Sequence, residues 1–80
     1  MKINIIGESS SNRTKLIKNL NKATKETLLK NIEINVIDDK GTLNKYKSKN
    51  KPLLIINDII ISSGKILSDR EIKNYIKVFA

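Results

Sequence analysis

Two short runs of mostly β-branched residues, Lys2–Ile6 and Glu33–Ile37, flank a long stretch with a helical repeat. Its apolar positions recur at steps of four, three and four, which is typical of the inner face of an amphipathic helix. These positions are Leu16, Leu20, Ala23 and Thr27. The pattern predicts a helix over residues 13 to about 30. A strand, a helix and a strand in this order predict parallel strands joined by a right-handed crossover.

The second half of the chain contains a hairpin signal. Leu53–Ile56 and residues 59–62 are apolar runs separated only by Asn57 and Asp58. Asn and Asp tolerate positive φ, so two of them between apolar runs predict a tight antiparallel turn. Gly64 follows and ends the second of these strands.

Two further helices complete the predicted order. Leu43 and Tyr46 are three residues apart on a short helix whose start is capped by Asp38-Asp39. Ser68 and Glu71 match a capping box, and the helix behind it has an apolar face. That face comprises Ile72, Ile76 and Phe79. The predicted order is β-α-β-α-β-β-α, an α/β fold with a mixed four-stranded sheet and three helices in one domain, residues 1–80.

The composition excludes several classes of enzyme. The 80 residues include no Cys, which removes disulfides, thiolate catalysis and zinc knuckles, and no His, which removes the commonest metal ligand and general base. A serine nucleophile therefore has no histidine to act as its base, which disfavours Ser-based hydrolysis. The three glycines are isolated, so no phosphate-binding loop or dinucleotide fingerprint exists. We expect no metal site and no cofactor, and Asp38-Asp39 are interpreted as a helix cap.

The net charge of +8 suggests a nucleic-acid partner, but the composition favours a solvated lysine coat. Ile, Lys and Asn number 15, 14 and 10, and all three are encoded by A/T-rich codons. Arg, which makes bidentate phosphate and base contacts, occurs only twice. Lys-driven nucleic-acid binding stays open as an alternative, which a salt-dependent gel shift would test.

No segment has the pattern of a targeting signal or a membrane anchor. The apolar run after Lys2 covers only residues 3–6, too short for the core of a signal peptide. The most apolar stretch, residues 53–61, is far below the ~20 residues needed to cross a bilayer. We expect a cytoplasmic protein with no membrane partner.

Three stretches of the chain match the pattern of one family of very small proteins. The opening MKINIIG matches their first strand, and a loop follows at the same distance. Lys51-Pro52 precedes LLIIN, as a dipeptide with a cis proline precedes a strand in that family. The stretch IIISSGKILSDREIKNYI matches their last strand and capped helix. The whole chain thus resembles the thioredoxin fold, and most closely the very small thioredoxin- or glutaredoxin-like proteins described as redox-active disulfide proteins. The resemblance implies a thioredoxin-like fold.

The chain lacks the two cysteines that give that family its redox chemistry. Aligning Gly7 and Leu16 places Ser10 and Arg13 where the two cysteines of the C-x-x-C motif would stand. Disulfide exchange requires a thiolate that attacks a disulfide sulfur, and neither residue supplies one. Dithiol oxidoreductase activity is therefore excluded for this chain alone, and we interpret it as a redox-inactive member.

Two interpretations of the former active-site loop stay open. In the simpler one, Ser10 only caps the first helix. In the other, Ser10, Ser11, Arg13 and Lys51 form a cradle for a carboxylate or phosphate, because helix amides and cations converge there. In the resembled fold, the loop that carries Lys51 approaches this end of the helix.

Pro52 and Gly64 each have a structural and a functional interpretation. The resemblance implies that Pro52 shapes the turn into the third strand, and that the backbone of Lys51 pairs with an extended substrate. Gly64 either lets a ligand backbone approach closely or only ends a strand.

The favoured function is a binding or interaction module for an extended peptide or a small anionic ligand at Ser10, Ser11, Arg13, Lys51 and Pro52, with Gly64 secondary. A thiol-redox role that uses a partner's or cosubstrate's thiol is the alternative, and an insulin-reduction assay discriminates the two. The last strand is predicted to lie at a sheet edge and is apolar, so a homodimer through that strand is also expected.

Overall fold

The computed structural model describes all residues, Met1–Ala80. Four strands and three helices alternate as the sequence predicts. They are β1 (Lys2–Ile6), α1 (Ser11–Lys25), β2 (Glu33–Ile37), α2 (Lys40–Lys45), β3 (Leu53–Ile56), β4 (Ile59–Ser63) and α3 (Asp69–Phe79). The sheet order is β2-β1-β3-β4, with β1 and β2 parallel and the other pairs antiparallel. The predicted order and mixed sheet are confirmed.

The main core lies between one face of the sheet and the helices α1 and α3. Ile3 and Ile5 project onto this face from β1, and Leu54 and Ile56 project from β3. The helices contribute buried residues at the predicted spacing, namely Leu16, Leu20, Ala23, Ile72 and Ile76. Every one of these side chains is at most 1% exposed. Burial of a Leu or Ile side chain contributes about 1.5–3 kcal/mol, so this layer supplies most of the driving force for folding.

The opposite face of the sheet is covered only in part, by the short helix α2. Ile6, Leu53 and Ile55 form a smaller core there, against which Leu43 and Tyr46 pack. Beyond α2 the same face is polar, where the side-chain amide of Asn35 donates to Asn4 Oδ1 at 3.1 Å and to Glu33 Oε2 at 2.8 Å. One end of this face therefore carries α2, and the other presents hydrogen-bonded polar side chains that remain in part exposed to solvent.

Helix α1 ends earlier than predicted. It ends at Lys25 with Glu26 as its C-cap, so Thr27 is not helical and Leu28 is 98% exposed. A helix reaching residue 30 would be about 27 Å long, whereas a five-residue strand spans only ~17 Å. The longer helix would overshoot the sheet and leave too few residues to return to β2. The chain instead turns through Asn31, at a φ of 62°.

The turn and the cap predicted in the second half of the chain are both confirmed. Asn57 and Asp58 adopt φ values of 48° and 68°, as a two-residue hairpin requires. Ser68 Oγ accepts the Glu71 N–H at 3.1 Å, and Glu71 Oε1 accepts the Ser68 N–H at 3.2 Å. Strand β4 extends one residue further than predicted and contains a bulge at Ile61.

No helix combines the length and the apolar character that crossing a membrane would require.

Gly64 is the glycine on which the fold depends most. Its φ is +71°, and a Cβ added there would lie 2.7 Å from Asn50 Cβ. Its N–H donates to the Pro52 carbonyl at 2.9 Å, which joins the end of β4 to the start of β3. We expect Gly64→Ala to lower the free energy of unfolding by about 1–3 kcal/mol, because an L side chain is strained at positive φ and meets Asn50.

Urea denaturation followed by circular dichroism measures this change. Gly41→Ala is the control, since Gly41 lies inside α2 at an ordinary φ, where Ala favours helix by up to about 1 kcal/mol. The added Cβ would lie 3.3 Å from Asp39 Oδ2, so only the end of one exposed side chain has to shift. An equal loss of stability in both variants would contradict the role given to Gly64.

Candidate functional site

The start of α1, the end of α2 and the residues before β3 enclose a cavity of about 420 Å³. The loop before α1 lies close to Pro52 because Gly7 has no side chain. A Cβ added to Gly7 would lie 3.3 Å from Pro52 Cα. The cavity is lined by the loop residues Gly7, Glu8, Ser9 and Ser10, by Leu43, Asn44 and Lys47, and by Lys51 and Pro52. Three of the predicted site residues, Ser10, Lys51 and Pro52, therefore come together.

Ser10 is the N-cap of α1. Its Oγ accepts the Arg13 N–H at 3.1 Å, and its carbonyl accepts the Thr14 N–H at 3.0 Å. This hydrogen bonding confirms the capping role predicted for Ser10. Ser11 is exposed at the first position of the helix and does not line the cavity.

Arg13 turns away from the cavity. Its Nη1 donates to the Gly7 carbonyl at 3.1 Å and lies 3.4 Å from Asp38 Oδ2, and its side chain is 17% exposed. The helix dipole disfavours a cation in the first turn, and these two oxygen partners offset that cost. Arg13 thus ties the loop before α1 to the end of β2, and its guanidinium is not presented to a ligand in the cavity.

The ammonium of Lys51 is hydrogen-bonded within the chain, whereas its backbone groups are not. Its Nζ donates to the carbonyls of Tyr46 and Lys49 at 2.8 and 3.1 Å, so the ammonium caps the C-terminal end of α2. Its own backbone N–H and C=O have no hydrogen-bond partner in the chain. The next residue differs, because the Pro52 carbonyl accepts from Gly64. The Lys51–Pro52 peptide bond is cis.

Gly64 lies outside the cavity lining. The space beside its Cα is filled by Asn50 of the same chain, so the close approach at Gly64 is an intramolecular contact.

Sequence reasoning missed Lys47 and Glu8, the two other charged residues in the lining. Both are exposed, and Lys47 takes part in no ion pair. A signal for Lys47 was present in the sequence, since residues 40–51 contain five lysines and no acidic residue. The cavity therefore offers hydroxyls, free backbone groups, one unpaired ammonium and one carboxylate. It holds no group of three or more His, Cys, Asp or Glu that could bind a metal ion.

The helix that forms one wall of the cavity depends on an aspartate cap. The Asp39 carboxylate accepts the Thr42 N–H and the Thr42 hydroxyl, each at 2.9 Å. These hydrogen bonds stabilise the charged form, so they lower the pKa of Asp39 below its ordinary value of 3.8. Asp39, of the predicted Asp38-Asp39 pair, is the residue that caps α2, whereas Asp38 pairs with Arg13.

Comparison with known proteins gives one match. Residues 1–77 match the model of a family described as the thioredoxin domain. Neither the curated proteins nor the solved structures yield a match. The match covers nearly the whole chain and confirms the resemblance, although no cysteine is present.

The Asp39 cap predicts a pH dependence confined to α2. A carboxylate whose pKa is lower in the folded state stabilises that state above its unfolded pKa, and this stabilisation is lost as the pH falls through the folded value. Below pH 3.8 we expect the amide shifts of α2 to move together with the Asp39 carboxyl carbon, as followed by NMR titration. Asp39→Asn keeps a capping side chain that does not titrate, so it should remove this transition. An Asp39 carboxyl that titrates at or above 3.8 would contradict the assignment.

Proposed function

The chain belongs to the thioredoxin domain family, and from this membership we propose that it binds an extended peptide segment without redox chemistry. The peptide would lie along Lys51 at the cavity beside Ser10 and Pro52. The absence of any sulfur at Ser10 and Arg13 leaves binding, not disulfide exchange, as what this site can do by itself.

The observation that carries the proposal is the pair of unpaired backbone groups on Lys51. In an antiparallel hydrogen-bonded pair, two residues exchange both of their N–H···O=C bonds. Lys51 presents one donor and one acceptor with no partner in the chain, at the rim of a cavity. An extended segment supplies the complementary acceptor and donor from a single residue, as in other cases of strand addition.

The charges around the cavity favour acidic side chains in that segment. The lining holds two lysines and one glutamate, and the neighbouring stretch 40–51 contains only positive charges. Lys47 is the lysine of the lining that is both exposed and unpaired. Electrostatic complementarity of this kind raises the association rate and selects partners by sign.

A small free anion fits the site less well than a peptide does. Arg13 donates to Gly7 and Asp38, and the ammonium of Lys51 donates to two carbonyls. A cradle built on these residues would have to break bonds that already hold the loop and α2. A peptide would instead pair with the free backbone groups of Lys51. Its acidic side chains would need only the unpaired ammonium of Lys47.

NMR titration of the 15N-labelled protein tests the proposal. An acetylated hexapeptide of alternating Val and Glu should shift the amides of Lys51, Ser9 and Ser10, and the Val/Lys counterpart should bind more weakly. We expect Lys47→Glu to raise the dissociation constant for the Val/Glu peptide by about fivefold or more, because like charges then face each other. Lys15→Glu, on the outer face of α1, makes the same change in net charge and should leave binding unchanged.

The backbone part of the proposal has its own control. N-methylation of the alternate peptide residues that face Lys51 removes the donors for its carbonyl, so binding should be lost, whereas methylation of the other residues should be tolerated. Peptide shifts that map elsewhere, or tolerance of both methylation patterns, would refute strand addition. Insulin reduction above the no-protein background with dithiothreitol would instead support the thiol-redox alternative.

A further inference from the structure

Strand β4 forms an open edge of the sheet. It pairs with β3 on one side only, so the backbone groups on its other side have no partner in the sheet. Ile59 and Ile60 are 54% and 41% exposed, and Ile66 beyond the strand is also exposed. An apolar edge with unpaired backbone groups is a template for another strand.

The charges at the two ends of β4 indicate which strand would pair with it. The strand itself carries no charge, Asp58 precedes it and Lys65 follows it. Both side chains are exposed and neither takes part in an ion pair. When two copies of such a strand pair antiparallel about a two-fold axis, each acidic end lies opposite the basic end of the other copy.

The register that sets Asp58 opposite Lys65 also matches the two faces of the sheet. It places Ile60 opposite Ser63 of the second copy. Ile60 pairs with Ile55 and Ser63 with Leu53, and both of these β3 residues face α2. Residues that oppose each other across a sheet must project to the same face, so this register satisfies the requirement.

The outer edge of β2 lacks this complementarity. β2 has no bulge, so the antiparallel register that keeps opposed residues on one face sets Glu33 opposite Ile37 of the second copy. In that register no basic residue lies opposite Glu33, so the ends of β2 gain no attraction between opposite charges. The two edges of the sheet therefore differ in their capacity to pair with a second copy.

We propose that β4 pairs antiparallel with β4 of a second copy of this chain, which joins the two sheets into one of eight strands. The interface consists of one short, bulged strand and a few isoleucines, so it belongs to the class of small, reversible contacts. The cavity beside Lys51 is not part of the interface and stays open in the dimer.

Sedimentation equilibrium between about 10 µM and about 1 mM tests the proposal, since weak contacts of this size dissociate in that range. We expect a reversible monomer–dimer equilibrium, with concentration-dependent amide shifts at Ile59–Ser63. Ile60→Lys should abolish it. Val36→Lys is the matched control, because Val36 is 42% exposed on the other edge strand, and this variant should dimerise as the unmodified protein does.

A second variant tests the charge pairing without altering the strand. Lys65→Glu sets acidic residues opposite each other at both ends, so we expect the dimer dissociation constant to rise about tenfold or more, whereas Lys65→Arg should preserve it. A strict monomer at the highest concentration would overturn the proposal. Dimerisation that persists in Ile60→Lys, or that is lost equally in Val36→Lys, would also overturn it.

Discussion

The burial of one face of the sheet beneath α1 and α3 is the constraint on which the rest of the structure depends. With no cysteine, the 80-residue chain has no disulfide to restrict its unfolded state. The side chains that fill this layer are almost all Ile and Leu, and they are essentially inaccessible to solvent. Because this layer holds α1 and α3 against the sheet, it also fixes where the loops meet.

The cavity beside Lys51 is a consequence of that packing. The main core holds α1 at an angle that brings its N-terminus beside the residues before β3, and Gly7 allows the close approach to Pro52. The second wall, α2, is held by weaker means, namely a small apolar cluster, the Asp39 cap and the ammonium of Lys51. α2 is therefore the more weakly held wall of the cavity.

The family's scaffold persists here without the sulfur atoms that give it redox chemistry. The resemblance implies that Ser10 and Arg13 stand at the two cysteine positions, and in this chain Ser10 caps α1 and Arg13 pairs with Asp38. Before β3, the backbone N–H and C=O of Lys51 have no hydrogen-bond partner in the chain. The peptide binding that we propose rests on these backbone groups, so it does not require sulfur.

The sequence by itself determined the order of the elements, the hairpin at Asn57-Asp58, the cap at Ser68 and the buried faces of α1 and α3, because these are local patterns of spacing and turn chemistry. It did not determine where α1 ends, since that depends on the length of the sheet beneath it. Only the tertiary structure decided that Arg13 turns toward Asp38, that the Lys51 ammonium caps α2, and that Lys47 lines the cavity. The direction of a long charged side chain is set by partners far apart in sequence, and no local pattern contains them.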